Sequence, residues 1–265
     1  MPNDLLASGV ILRFEAFAVE NIPLIKKGDD LAQIICERAD VLDGDVIIIA
    51  STIVGKAEGR TFSLEGIIPG AEAVEFSKHI RFTPTFIQAV LERSRECLIP
   101  SPVLLVEMKN GHICINAGID ESNVEGEMLL ELPADPDASA ECIGKGIESY
   151  TGTQISVIIT DTNGRAFKRG QTGVAVGVYR IHPLKDWRGQ KDLFGKELKI
   201  TEEAVADEIA GASNLLMGEG NGGCPVVIIR GLKLRSNEST SVNEMYRTDE
   251  EDLIKKSLRY LRDRG

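Results

Sequence analysis

The chain has 265 residues, 43% of them hydrophobic and 27% charged, an ordinary globular composition with enough apolar material for one large domain or two modest ones. Its formal net charge of -11 excludes a protein that coats nucleic acid, which needs a basic face, although a local basic loop can still hold one nucleotide. The five cysteines are scattered and never spaced C-x-x-C, a pattern of buried thiols in a reducing cytosol rather than of disulfides or zinc.

From the N-terminus, Met1 to Val10 has neither the basic start nor the apolar core of a signal peptide. No apolar run approaches the ~20 residues that span a bilayer, so a cytoplasmic protein without a membrane partner is expected. Ile11 to Val19 reads as a strand and Glu20 to Gly28 as a loop. Asp29 is placed to cap a helix over Asp30 to Asp40, whose Leu31, Ile34 and Ile35 recur at helical spacing. Val46 to Ala50 is a buried strand that ends in Ser51-Thr52, followed by Gly55, Lys56, Gly59 and Arg60. Pro69 to Ile80 reads as helical, and Thr83-Pro84 opens a second helix running to about Leu98. Val103 to Met108 and Ile113 to Ala117 form a hairpin around Asn110-Gly111, whose second arm runs out to Asp120 and Asn123. Leu129 to Leu132 is a short strand, and Pro133 to Asp137 a turn-rich connector that separates two lobes. Ser139 to Tyr150 is a helix stopped by Gly152.

Val157-Ile158-Ile159-Thr160 then reads as a buried strand that stops at Asp161, with a turn at Asn163-Gly164. One carboxylate, the hydroxyls of Thr160 and Thr162, and the cations Arg165, Lys168 and Arg169 make an odd mixture for a solvated loop. It suits a place where a metal and phosphates meet, because hard cations take oxygen ligands and phosphates take Arg, Lys and free N–H groups. The layout around Ser51 faintly repeats it, so two strand ends could face one ligand. Thr172 to Tyr179 is a strand whose glycines fit close backbone approach, and Ile181 to Leu198 a long ordered loop. Thr201 caps a helix with Glu202 and Glu203 in its first turn and Val205, Ile209, Ala212 and Leu216 on one face, closing at Met217 to Gly223. Pro225 to Ile229 is a strand, and a capping box from Thr248 to Glu251 opens the C-terminal helix. These elements do not alternate as a doubly wound sheet requires, so the expected class is α+β, with mixed or antiparallel sheets and flanking helices.

The chain has no G-x-x-x-x-G-K-[ST] loop, no G-x-G-x-x-G after a first strand and no H-E-x-x-H. The glycine run from Gly218 to Gly223 lets backbone N–H groups approach phosphate, and equally reads as a helix C-cap with a flexible turn. His79, His112 and His182 lie in unremarkable settings. A phosphatase of the haloacid-dehalogenase type is the runner-up, weakened because Asn163 and Arg165 replace the second acid and the threonine of D-x-D-x-T.

Several longer motifs agree with one another: Asn116-Ala117-Gly118-Ile119-Asp120, Ile159 to Arg165, Lys185-Asp186-Trp187, Ala206-Asp207-Glu208-Ile209, Leu215 to Glu219, and Arg230-Gly231. On these the chain resembles the coenzyme F420:L-glutamate ligase (F420-0:γ-glutamyl ligase) family, over one domain from residue 11 to residue 265, with residues 1–10 as an extension. No nitroreductase-like C-terminal domain follows, so the likeness is to the stand-alone archaeal form. The resemblance implies a two-lobed fold divided near residues 133–138 and an intertwined homodimer. It implies GTP-dependent transfer of L-glutamate to F420-0, and of a second, γ-linked glutamate, through an acyl phosphate, with two divalent ions (Mg²⁺ or Mn²⁺) and K⁺. Asp120 and Asp161 then resemble ligands of one divalent ion, and Thr162 and Glu219 ligands of the other. The guanine nucleotide is expected at Ile22, Pro23, Leu24, Ile25, Ser51, Thr52, Lys56 and Asn123, and under Met217, Gly218, Glu219, Gly220, Asn221, Gly222, Gly223 and Cys224. Arg165, Lys168 and Arg169 are assigned to phosphate or substrate carboxylate on their chemistry alone. Beside the ligase and the phosphatase, a GTP-binding sensor that never turns over is a third reading.

Overall fold

The structure, a computed structural model, describes residues 13–262. Strand β1 (Glu15–Ala18) is followed by helix α1 (Leu31–Cys36), whose cap is Asp30 rather than Asp29: the Asp30 carboxylate accepts the Gln33 N–H, while Asp29 accepts that of Lys26. The first part of the expected strand, Ile11 and Leu12, lies outside the described residues. Strand β2 (Val46–Ala50) passes without a loop into helix α2 (Ser51–Glu58), where only a strand end followed by polar residues was expected. Ile53 and Val54 are buried on α2, so packing overrides the modest helix propensity of its Ser, Thr and β-branched residues.

After β3 (Thr61–Phe62) and α3 (Ala71–Ser77), helix α4 (Pro84–Arg93) begins as expected, with Thr83 accepting the Phe86 N–H. It stops at Arg93, not near Leu98, because Ser94–Ile99 becomes strand β4 and pairs antiparallel with β5 (Leu105–Met108). The hairpin of β5 and β6 (Ile113–Ile115) forms where Asn110-Gly111 places it. Strand β7 (Leu129–Leu130) pairs with β3, and α5 (Pro136–Thr151) begins three residues before the expected Ser139, capped by Asp135 and with Pro136 at its start.

Strand β8 (Ser156–Arg165) does not end at Asp161. It continues through Asn163 and Gly164 because β9 (Lys168–Tyr179) pairs with it along its length, and the turn falls instead at Phe167, whose φ is +64°. The following segment carries only the short ribbon of β10 (Lys185–Asp186) and β11 (Glu202–Glu203). Glu202 and Glu203 are therefore strand residues, and helix α6 (Val205–Met217) takes its first-turn acids from Asp207 and Glu208. Strand β12 (Val226–Arg230) and helix α7 (Leu253–Arg262) complete the described chain.

Five strands form the central sheet in the order β1-β12-β2-β8-β9, with β2 and β8 parallel and the other neighbours antiparallel. The mixed α+β class is as expected. Both faces are apolar: Ile47, Ile49, Val157 and Ile159 meet α1 and α5, while Val46, Ile48 and Ile158 meet α6. Full burial of each isoleucine stabilises by roughly 1.5–3 kcal/mol, and three of them in a row after the buried Val46 explain why β2 reads as a continuous apolar run. A third cluster joins α3 and α4 to the β4-β5-β6 sheet.

The glycines of β9 have the role their placement suggested. A Cβ on Gly173 would lie 2.6 Å from the Ala210 carbonyl oxygen, so only glycine lets α6 press against β9. Gly173→Ala should therefore destabilise the fold by about 1–3 kcal/mol in urea unfolding. An unchanged midpoint would show that the two elements are not in close contact.

Candidate functional site

The register of the parallel pair places the chemistry. Ala50 is opposite Thr160, so the residues after each, Ser51 at the start of α2 and Asp161 on β8, become neighbours. The Ser51 hydroxyl donates to Asp161 Oδ1 at 2.8 Å. Carboxyl ends of parallel strands are the usual place for ligands in sheets of this kind. The first turn of α2 has no side-chain cap, which leaves N–H groups that a phosphate can occupy.

Two further carboxylates approach from separate elements. Asp120 is held by a pair of backbone hydrogen bonds with Leu130, each 2.9 Å, and by the Ser122 N–H and hydroxyl at 2.7 and 2.8 Å. The chain reaches it through three successive left-handed residues, Asn116, Ala117 and Gly118, with φ of +55°, +55° and +66°. For alanine that conformation is strained, whereas asparagine and glycine adopt it readily. Glu219 Oε1, just past α6, accepts the Thr162 hydroxyl at 3.2 Å and the Asn214 amide at 2.8 Å. Burial, chiefly, pushes the Asp161 carboxyl up to about 6; Ser51 and the Thr162 backbone counter this, and the charges of Asp120 and Glu219 add to it.

The other expected positions lie on the elements that flank these residues, with one exception. Ala50 N–H donates to the Pro225 carbonyl, which brings the segment Met217 to Cys224 beside Ser51. Met217 is buried, whereas Gly218, Glu219, Gly220, Asn221, Gly222 and Gly223 are exposed. Ile22 and Ile25 pack in the same apolar cluster as Ile53 and Val54 of α2, with Pro23 and Leu24 exposed between them. Thr52 and Lys56 are half-buried on α2, and Asn123 is exposed three residues beyond Asp120. The exception is Arg165, Lys168 and Arg169, at the exposed tip of the β8-β9 hairpin. Arg165 is four strand residues, about 13 Å, from Asp161, and its guanidinium donates to the Arg169 carbonyl.

Sequence reasoning passed over His112. It is buried in the β5-β6 turn, Nε2 lies 3.2 Å from the Asn163 amide nitrogen and Nδ1 3.3 Å from the Tyr246 hydroxyl, and desolvation lowers its pKa to about 4. The neighbouring Cys114, its thiol pushed up to about 12 by burial, lies close enough to feel the Asp161 charge. Only the folding of β6 across β8 joins these residues, so no local motif could have signalled them.

The donors at this site are oxygen atoms: three carboxylates and a hydroxyl with excess negative charge, a set that fits a hard divalent cation. Among the described residues, no three His, Cys, Asp or Glu side chains stand close enough to hold an ion alone. Among the described residues no helix is long and apolar enough to cross a membrane.

Comparison with known proteins accounts for most of the chain. The model of the family described as F420-0:Gamma-glutamyl ligase matches residues 20–231. The chain is 59% identical over 250 residues to the coenzyme F420:L-glutamate ligase of Methanosarcina acetivorans, covering 94% of this chain and 98% of that protein. It is 50% identical over 248 residues to the protein of the same name from Archaeoglobus fulgidus, covering 94% and 99%. For that of Haloarcula marismortui the identity is 43% over 251 residues, covering 92% and 97%.

The Asp161 shift has a measurable consequence in metal-free protein. Because its folded pKa, about 6, exceeds the ordinary value of 3.8, the folded state holds this proton more tightly than the unfolded state does. Stability from this group is complete below about pH 4 and is lost as the pH rises through 6. Asp161→Asn should therefore be more stable than wild type at pH 7, by on the order of 1 kcal/mol after solvent screening, with the difference vanishing near pH 4. Urea unfolding at the two pH values measures it; a difference independent of pH would rule out this origin.

Proposed function

The chain belongs to the F420-0:gamma-glutamyl ligase family, and from that premise we propose that it joins L-glutamate to coenzyme F420-0 at the expense of GTP. The observation that carries the reading is that Asp120 and Glu219 lie near enough for their charges to act on Asp161, beside the uncapped start of α2 and the glycine-rich segment. The acceptor carboxylate takes the γ-phosphoryl of GTP, the glutamate amine attacks the resulting acyl phosphate, and GDP and phosphate leave. A second glutamate, γ-linked to the first, is added in the same way.

This chemistry needs charge neutralised and water excluded more than it needs a nucleophilic side chain. Asp120 and Asp161 would hold one divalent ion and Thr162 and Glu219 a second, Mg²⁺ or Mn²⁺, and such ions supply charge neutralisation at phosphate oxygens. K⁺ is the monovalent ion of the same reading. Ser51 holds Asp161 in place, and the N–H groups of Ser51 and Thr52 with the Lys56 ammonium take phosphate oxygens. Ile22 to Ile25 and Asn123 border the guanosine, and Met217 to Cys224 lies over it. The protein acts as a cytoplasmic homodimer of two-lobed, intertwined subunits. In that dimer the tip bearing Arg165, Lys168 and Arg169 reaches a phosphate or carboxylate of the neighbouring site; the exposed Phe167 at the same tip supports such a contact.

Incubation with F420-0, GTP, Mg²⁺ and L-glutamate should give product heavier by one and then two glutamyl residues in the mass spectrum. GDP should form only when both acceptor and glutamate are present, and Asp161→Asn should lower the rate at least about 100-fold. GDP release without an acceptor would instead indicate a phosphatase, and GTP binding without turnover a sensor.

A further inference from the structure

A cavity of about 320 Å³ opens at the edge of the central sheet, beside the carboxylate cluster yet not part of it. Its wall includes His112, Asn163, Val174, Asp207, Tyr246 and Arg247. Val174 is the cross-strand partner of Asp161, and Asn163 follows Asp161 by two residues on β8, about 7 Å along the strand. The cavity therefore borders the strand segment that carries Asp161. The ligase reading has left it without an occupant.

The volume lies at the low end for small-molecule sites, which suits a small metabolite and not a nucleoside triphosphate or a tricyclic cofactor with its tail. The polar groups are of both signs. Asp207, half-buried on α6, accepts the Ala175 N–H at 2.9 Å, and burial raises its carboxyl above the ordinary range. Arg247 is an exposed cation. Lys255, which also borders the cavity, is committed to Glu107 and Asp249 at 3.1 and 3.0 Å, and this pairing anchors α7 behind the site. The Asn163 amide, the Tyr246 hydroxyl and the neutral His112 add hydrogen-bonding groups that carry no charge. A second lining carboxylate, Asp252, accepts the Lys255 N–H at 2.8 Å, which leaves Asp207, Arg247 and the neutral groups to match a free amino acid: an ammonium for Asp207 and a carboxylate for Arg247.

We propose that this cavity is the binding site of the amino-acid substrate, L-glutamate, with Asp207 receiving its ammonium group and Arg247 a carboxylate. The proposal rests on the ligase reading and gives it a specificity site. It also gives a use to the Ala206-Asp207-Glu208-Ile209 motif, which the nucleotide and metal assignments leave unexplained.

Steady-state ligation assays test it, with KM measured separately for L-glutamate, GTP and F420-0. Arg247→Ala should raise the KM for glutamate about tenfold or more while leaving the other two within about twofold, and Arg247→Lys should recover part of the loss. Asp207→Asn, which keeps an oxygen for the Ala175 N–H and removes only the charge, should do the same. An unmoved glutamate KM in both variants, or a parallel rise in all three constants, overturns the proposal while leaving the ligase reading intact. If the wild-type protein forms no glutamylated product, the ligase reading falls and this one with it.

Discussion

The arrangement depends on one constraint, the parallel pairing of β2 with β8 in the register Ala50 to Thr160. Shifted by one residue, the apolar set of β8 would move to the opposite face and Ser51 would lose Asp161. The register is held by isoleucine and valine packed on both faces, so core and site are specified by the same contacts. Packing energy of that kind can keep a carboxylate where its own electrostatics oppose it. Asp161 costs stability as an anion, and the packing around it holds it in place nonetheless.

The other acid positions show how strain and hydrogen bonding share the task. Asp120 follows three left-handed residues and is then fixed by Leu130 and Ser122. A Cβ on Gly118 would approach Leu132 Cδ1 to 2.6 Å, so glycine is required there both for its backbone angle and for the close approach. Glu219 depends on Thr162 and on Asn214 from the end of α6, whose position is set by the tight approach to Gly173. Elements far apart in sequence thus converge around Asp161.

Much of this could be read from the residues. Apolar runs marked β2, β8 and β12, Asn110-Gly111 marked its hairpin, and the acid and hydroxyls after an apolar run marked Asp161 and Thr162. The misreadings have physical causes. Helix α2 is built from weak helix formers and exists because Ile53 and Val54 are buried. Strand β4 contains arginine, glutamate and leucine, which suit a helix until β5 offers an edge. Asn163-Gly164 resembles a turn but remains extended because β9 continues beside it. Placing the turn there drew Arg165, Lys168 and Arg169 toward Asp161, when the longer hairpin carries them away. His112 and the cavity beside it were invisible for a different reason, since only tertiary folding brings β6 to β8.

The central claim is that these carboxylates grip cations on a bound nucleotide. Electron paramagnetic resonance of Mn²⁺ with a non-hydrolysable GTP analogue tests it most directly. The account predicts saturable Mn²⁺ binding by the wild-type protein with the analogue present and a large loss of affinity in Asp161→Asn. Equal Mn²⁺ affinity in the two proteins, at the same nucleotide occupancy, would contradict it.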